Sequence, residues 1–71
     1  MTPLKWHSLT SSNLRRCAFE EDEDGNTTLH VQFNSGKTYE LADVPSSIFN
    51  GLLEAGSPGQ FYNANIKGVY D

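Results

Sequence analysis

The stretch LHVQFNSGKTYEL, residues 29–41, decides the fold of this 71-residue chain. Apolar residues occupy every second position from Leu29 to Phe33, which is typical of a strand with one buried face. The Asn-Ser-Gly sequence at 34–36 then supplies a tight turn, and the alternation resumes from Tyr39. The stretch therefore predicts an antiparallel hairpin with one apolar face.

The same alternation precedes the hairpin. Cys17 and Phe19 are separated by a small residue and lie between charged neighbours, so residues 15–19 are predicted as a further half-buried strand. Asp24-Gly25, a common hairpin turn, lies between this strand and the next. Because short turns join neighbouring strands antiparallel, we predict a three-stranded antiparallel meander.

The period of the apolar residues changes after Asp43. Pro45 suits the first turn of a helix, where its missing N–H would have no partner. Apolar residues then recur at helical spacing from Ile48 to Ala55. We expect Asp43 to be the N-cap and Gly56 to end the helix in a left-handed conformation.

A second helix start follows at Ser57-Pro58. This helix should carry the apolar residues from Phe61 to Ile66 and stop before Gly68. The predicted fold class is α+β, in the order β-β-β-α-α. Two C-terminal helices cover one face of the three-stranded meander, because an apolar sheet face needs a cover.

The chain has room for one small domain. At this length a protein buries only about 60% of its unfolded surface, so one core must hold it together. The sequence before residue 11 alternates only loosely. Residues 1–10 are therefore predicted as an N-terminal arm or edge strand, and residues 11–71 as a single domain.

Charge and cysteine content narrow the function classes. The formal net charge is −4, whereas a protein that holds nucleic acid by its phosphates usually presents a basic face. A long polyanion is thus disfavoured and a small anion remains open. The single cysteine, Cys17, excludes an internal disulfide and is expected to pack as an apolar residue. With no segment of signal-peptide or membrane-span length, we expect a cytoplasmic protein.

No pattern in the sequence indicates catalysis, a metal or a cofactor. The acidic run at 20–24 imitates a calcium loop, but the twelfth position falls on Val31 instead of a bidentate Glu. His7 lies in the N-terminal segment and His30 on the polar face of its strand, where we expect a surface position. We therefore predict no enzyme activity, no catalytic residues, no metal site and no cofactor.

Polar and cationic residues near element boundaries are the candidate ligand contacts. Hydroxyls and backbone N–H groups at such positions can hold a small anion, although caps and turns are the alternative interpretation of the same residues. Four cationic side chains near the strands and after the second helix, the ring of Tyr39 and the side-chain amide of Asn63 complete the set of candidate contacts. The candidates are Ser11, Ser12, Asn13, Arg15, Arg16, Lys37, Tyr39, Ser57, Gly59, Asn63 and Lys67.

An ordered set of motifs resembles the KTSC domain family, a small domain also found at the C-terminus of some lysyl-tRNA synthetases. The family often has Tyr-x-Tyr in its third strand, where this chain has Tyr39-Glu40-Leu41 and lacks the second ring. The motifs that carry the resemblance are Ser11-Ser12-Asn13, Leu29-x-Val31-x-Phe33, Gly36, Tyr39, Val44-Pro45, Ser57-x-Gly59-x-Phe61-Tyr62-Asn63, Ile66 and Tyr70.

The resemblance implies binding more than catalysis. Our leading hypothesis is a non-enzymatic module that sequesters a small, anionic, nucleotide-like ligand, such as a cyclic nucleotide signal. Since the family includes small bacterial and phage proteins, a phage-encoded counter-defence role fits this hypothesis. The alternatives are an RNA- or tRNA-binding domain, which the acidic charge disfavours, and a protein interaction module that uses a sheet edge or Trp6. Homo-oligomerisation is left open, and no membrane partner is expected.

Overall fold

The computed structural model describes residues 4–70, which form an antiparallel sheet of four strands and two helices. Each strand pairs with its sequence neighbour, so the order in the sheet is β1-β2-β3-β4. The α+β class, the antiparallel sheet and the helix pair are thus confirmed. The elements are β1 His7–Ser8, β2 Leu14–Glu21, β3 Thr27–Phe33, β4 Thr38–Ala42, α1 Ser46–Glu54 and α2 Pro58–Asn65. Neither helix of the described part of the chain is long and apolar enough to cross a membrane.

The prediction of three strands is wrong, because β1 adds a fourth at the edge of the sheet. His7 lies opposite Cys17 and Ser8 opposite Arg16, in an antiparallel pairing with β2. A strand of two residues is too short to show an alternating pattern, so its position depends on β2 rather than on its own sequence.

The core lies between one face of the sheet and the two helices. Phe19 of β2 stacks on Phe49 of α1, with ring centroids 5.2 Å apart. We call this face of the sheet the helix-facing side and the opposite face the outer side. The buried apolar residues come from both layers and are Leu14, Cys17, Leu29, Val31, Leu41, Val44, Leu52, Tyr62 and Ile66.

A β-bulge in β2 separates the two neighbouring arginines. Leu14 pairs with Phe33 and Arg16 with Gln32, so Arg15 is an extra residue in β2 without a counterpart in β3. Such an insertion bends the strand and shifts the alternation of its side chains. Consequently Leu14 belongs to the core, while Arg16 lies on the outer side.

The helix boundaries differ from two of the predictions. Asp43 is not the N-cap of α1: that position belongs to Pro45, which provides no side-chain cap, and Asp43 has a φ of 60°. Its N–H donates to the Thr27 carbonyl oxygen at 2.8 Å, which joins it to the sheet. Nor does Gly56 end the helix, since Ala55 is already extended at φ −65° and ψ 137°.

The second helix begins as predicted, with Pro58 in its first turn. It ends at Asn65, one residue before the buried Ile66, whose N–H still donates to the Tyr62 carbonyl oxygen at 2.9 Å. Gly68 follows with a φ of 77° in the turn after the helix. That left-handed conformation is one that glycine adopts without steric cost.

The acidic run forms the β2–β3 turn. The Asp22 carboxylate accepts hydrogen bonds from the backbone N–H groups of Asp24 and Asn26, both at 2.9 Å. The bond from Asn26 is the main reason why the pKa of Asp22 is lowered. Gly25 has a φ of 86°, as this turn requires. Within residues 4–70, no group of three potential metal-ligating side chains is present.

Candidate functional site

An open cleft of about 340 Å³ lies between the β3–β4 hairpin and α2. This volume is at the lower end of the range for small-molecule sites, which starts near roughly 300 Å³. One wall comes from the hairpin and the other from α2 and the turn after it. The lining residues are Phe33, Ser35, Lys37 and Tyr39 on the first wall and Tyr62, Asn63 and Lys67 on the second.

Three aromatic rings form the apolar part of the cleft. Phe33 meets Tyr39 and Tyr62 in two T-shaped contacts, with centroids 5.4 Å and 5.3 Å apart and interplanar angles of 88° and 89°. Tyr62 is only 6% exposed, whereas Tyr39 is 45% exposed. Tyr62 therefore belongs to the core and Phe33 is partly buried against it, whereas the ring of Tyr39 is open to solvent.

Two lysines give the cleft a positive character. Lys37 follows the hairpin turn, and Lys67 lies in the turn after α2, where its N–H donates to the Tyr62 carbonyl oxygen. Within residues 4–70 neither ammonium group has a carboxylate partner, and no Asp or Glu lines the cleft. In a chain of net charge −4, this is a local concentration of cations that no carboxylate of residues 4–70 pairs with.

The hairpin wall is held in place by Asn34. Its N–H donates to the Asn13 carbonyl oxygen at 2.8 Å, and its side-chain amide donates to the Ser11 carbonyl oxygen at 3.2 Å. The Arg15 guanidinium in turn donates to the Asn34 carbonyl oxygen at 3.4 Å. The segment 11–15 thus anchors the turn that carries Ser35 and Lys37 into the cleft.

Ser11, Asn13 and Gly59 form a packed contact instead of an open anion site. The Ser11 hydroxyl accepts hydrogen bonds from the N–H groups of Asn13 and Leu14, at 3.1 Å and 3.2 Å. Gly59 is buried, and a Cβ there would lie 3.3 Å from Asn13 Nδ2 and 3.4 Å from Ser11 Oγ. For Ser11, the structure thus shows the turn-forming role that was the alternative interpretation.

Arg16 lies on the outer side, away from the cleft. Its guanidinium carbon is 4.3 Å from the centroid of the Trp6 ring, and its Nε donates to Gln32 Oε1 at 2.6 Å. Of the two candidate arginines, Arg16 is therefore not brought together with the lysines. Only Arg15 lies near the cleft, through its bond to Asn34.

The structure brings together only part of the predicted set of contacts. Lys37, Tyr39, Asn63 and Lys67 line the cleft. Ser12 and Ser57 are exposed outside it, and Ser57 occupies the N-cap position of α2 without a side-chain cap. The sequence analysis missed Phe33, Ser35 and Tyr62 as lining residues. Alternation assigned Phe33 to the core, and only the position of Ser35 in the turn before Lys37 could have indicated its role.

His30 is buried on the outer side, so the prediction of a surface position is wrong. It is 5% exposed and lies against Trp6, with ring centroids 6.2 Å apart. Its Nε2 lies 3.0 Å from a carboxylate oxygen of Glu20, and its Nδ1 lies 3.5 Å from one of Glu40. Trp6, from the segment before β1, supplies a cover that strand alternation does not predict.

His7 and Cys17 lie on the helix-facing side. The His7 ring meets Phe49 edge-on at 5.5 Å, so the two histidines are on opposite faces of the sheet and do not share a site. Cys17 is fully buried, and burial raises the pKa of its thiol to about 11. A reactive thiolate requires exposure and positive neighbours, and Cys17 is buried in the apolar core instead.

Residues 10–70 match the sequence model of the KTSC domain. The chain belongs to the KTSC domain family. A KTSC domain protein from Yersinia pestis, known from a crystal structure, superposes with a TM-score of 0.80 at 26% identity. That superposition covers 97% of this chain and 93% of the Yersinia chain. The resemblance noted in the motifs is thereby confirmed.

Two curated proteins share sequence with this KTSC domain. An uncharacterized protein of Stutzerimonas stutzeri is 34% identical over 64 residues, which cover 90% of this chain and 86% of that protein. A lysine-tRNA ligase of Nostoc punctiforme is 42% identical over 48 residues, which are 68% of this chain but 9% of the ligase. Sequence similar to this chain therefore makes up most of one relative and a minor part of the other.

Proposed function

We propose that this KTSC domain binds a small anionic ligand of the nucleotide class in the cleft and sequesters it without chemical change. One observation carries the proposal. Lys37 and Lys67, from two different walls, line the same cleft as the exposed ring of Tyr39, and no carboxylate of residues 4–70 lines it. A nucleotide combines a phosphate with a flat base, and these are the two groups that cations and an aromatic ring recognise.

The energetics favour a compact ligand. Stacking of a base on an aromatic side chain is worth about 1–3 kcal/mol. The two lysines make no ion pair within residues 4–70, so none of these residues would lose an ion pair when a phosphate binds. Because the net charge is −4, a long polyanion would also meet the acidic remainder of the surface. A small signal molecule such as a cyclic nucleotide meets only the cleft.

Sequestration fits the residues of the cleft better than catalysis. Among the described residues, none of those that line it is His, Cys, Asp or Glu, the side chains most often used as a nucleophile or a general base. Lys37, Lys67 and Tyr39 are suited to holding charge and stacking. We therefore assign the domain a binding role.

The test is a thermal-shift and amide-NMR screen against mononucleotides, cyclic mononucleotides and cyclic dinucleotides. A ligand at 100 times its dissociation constant stabilises the fold by about 2.7 kcal/mol. Lys37→Gln and Lys67→Gln should weaken binding. Lys5→Gln, which removes an equal charge beside β1 at the opposite edge of the sheet, should leave it unchanged. The proposal fails if no nucleotide shifts the amides of the cleft.

A single-stranded RNA end is the second candidate ligand. The sequence shared with a lysine-tRNA ligase favours it, because that protein acts with an RNA. An RNA contact would release counterions, so its affinity should fall steeply as salt rises. Binding of a short oligonucleotide at 50 and 200 mM salt, compared with a mononucleotide, distinguishes this candidate from the first. Equal affinity for the two ligands at both salt concentrations would exclude the RNA.

A further inference from the structure

The side chain of Asn63 lines the cleft, and its amide has no hydrogen-bond partner among the described residues. Within residues 4–70, this side chain makes no hydrogen bond, and it lies on the α2 wall beside Tyr62. Two nearby asparagines are engaged elsewhere: Asn65 donates to the Phe61 carbonyl oxygen at 3.2 Å, and Asn34 holds the hairpin turn. Among the described lining residues, Asn63 is the one that carries a side-chain amide.

The size of the cleft limits the ligand to one nucleotide unit. Its volume is about 340 Å³, and of the three rings that line it within residues 4–70, that of Tyr39 is the largely exposed one. A cyclic dinucleotide carries two bases and would leave one of them outside the cleft. A single base with a single phosphate uses the ring and the two lysines together.

We infer that the ligand is an adenine mononucleotide and that Asn63 is the residue that reads its base. This inference rests on the proposed function and names the ligand class of the same cleft. Lys37 and Lys67 hold the phosphate, and Tyr39 stacks on the base. The Asn63 amide then donates to adenine N7 and accepts from the N6 amino group, the bidentate pairing that asparagine makes with this base.

The same pairing explains why guanine binds less well. Guanine has an oxygen at position 6, so the amide oxygen of Asn63 would face another acceptor. Rotating the amide by half a turn corrects that contact but brings the oxygen against N7, which is also an acceptor. The Ser35 hydroxyl can donate or accept, so it adapts to either purine and does not discriminate.

The experiment is calorimetric titration of the full chain with AMP, GMP, CMP and UMP, and with adenosine, inorganic phosphate and cyclic di-AMP. We expect one AMP per chain, about tenfold tighter than the other mononucleotides, as one bidentate base contact provides. Asn63→Ala should reduce AMP affinity to the level of GMP. Lys37→Gln and Lys67→Gln should weaken all four mononucleotides alike. Asn65→Ala, which removes an amide committed to its own helix, is the matched control.

The outcomes distinguish a failure of this inference alone from a failure of the proposed function. Equal binding of all four mononucleotides, unchanged in Asn63→Ala, overturns base reading by Asn63 and leaves nucleotide binding in place. Tighter binding of one cyclic di-AMP per chain overturns the single-unit ligand. If Asn63→Ala abolishes inorganic phosphate binding as well, its role is structural and the inference fails. If no nucleotide binds, both this inference and the proposed function are wrong.

Discussion

Gly51 of α1 lies against the ring of Phe61 in α2 so closely that a Cβ at position 51 would be 2.6 Å from Phe61 Cζ and 2.9 Å from Cε2. Real Cβ atoms do not approach other atoms to this extent. The lack of a side chain at Gly51 therefore lets the two helices lie close together over the sheet. The position of α2, which carries one wall of the cleft, depends on this contact.

Gly51→Ala should destabilise the fold, although alanine is the better helix former by about 1 kcal/mol. Overpacking a core contact costs about 1–3 kcal/mol, which exceeds that gain. Urea unfolding measures the net effect. Gly56→Ala is the control, because nothing lies within 4 Å of its Cβ position and its φ is not positive. In a Phe61→Leu background the smaller side chain should reduce the penalty. A Gly51→Ala variant more stable than the parent chain would contradict the close contact.

Burial of Cys17 predicts a loss of stability in alkali. The pKa of its thiol is raised from 9.0 to about 11, because the charged thiolate is disfavoured in the core. The contribution of the buried thiol to the free energy of unfolding is complete below pH 9 and is lost as the pH rises from 9 towards 11. Each unit of pKa difference is worth about 1.4 kcal/mol. The difference in unfolding free energy between the parent chain and Cys17→Ala should therefore change over this pH interval. A constant difference would show that the thiol does not titrate in this way.

The contact of Trp6 with Arg16 predicts a measurable coupling. A guanidinium carbon 4.3 Å from the ring centroid is in the range of cation–π attraction, worth about 0.5–1 kcal/mol at exposed sites. A double-mutant cycle with Trp6→Leu and Arg16→Gln should return a coupling free energy of this size. Arg15→Gln, paired with the same Trp6→Leu, is the matched control. Strict additivity of Trp6→Leu and Arg16→Gln would argue against the contact.

The anchoring of the hairpin by Asn34 predicts a local effect at the cleft. Asn34→Ala removes the bond from its side chain to the Ser11 carbonyl oxygen, at a cost of about 0.5–1.5 kcal/mol. Amide hydrogen exchange at 34–37 should become faster, while exchange in α1 should change little. Asn26→Ala, in the opposite hairpin turn, serves as the comparison. Unchanged exchange at 34–37 would mean that the backbone bond to Asn13 alone holds the turn.

Local pattern was enough to predict most of the elements. The alternation from Leu29 to Phe33, the turn at 34–36 and Pro58 at a helix start each depend on neighbours within a few residues. Backbone sterics and one-sided burial act at that range, so β2, β3, β4 and α2 were predicted close to their observed positions. The ends of α1 were not predicted correctly. Asp43 does not cap the helix, because its backbone N–H donates to the Thr27 carbonyl oxygen in the sheet.

The sequence predicts the residue types of the candidate site but not their arrangement in space. The residue types of Lys37, Tyr39, Asn63 and Lys67 suit an anionic ligand, and the structure places all four in one cleft. Arg16 has the same chemistry and lies on the outer side, since it alternates with the core residue Cys17, while the bulge at Arg15 places Leu14 in the core. Residue type does not contain this information.

The sequence by itself determined the α+β class, the order of the main elements and the family, since these follow from short-range patterns and ordered motifs. Only the tertiary structure decided that Trp6 covers His30, that Gly59 packs against Asn13, and that two lysines distant in the chain line one cleft. These contacts depend on how the layers close over each other. That closure is fixed by packing between residues far apart in sequence, such as Gly51 and Phe61 across the two helices.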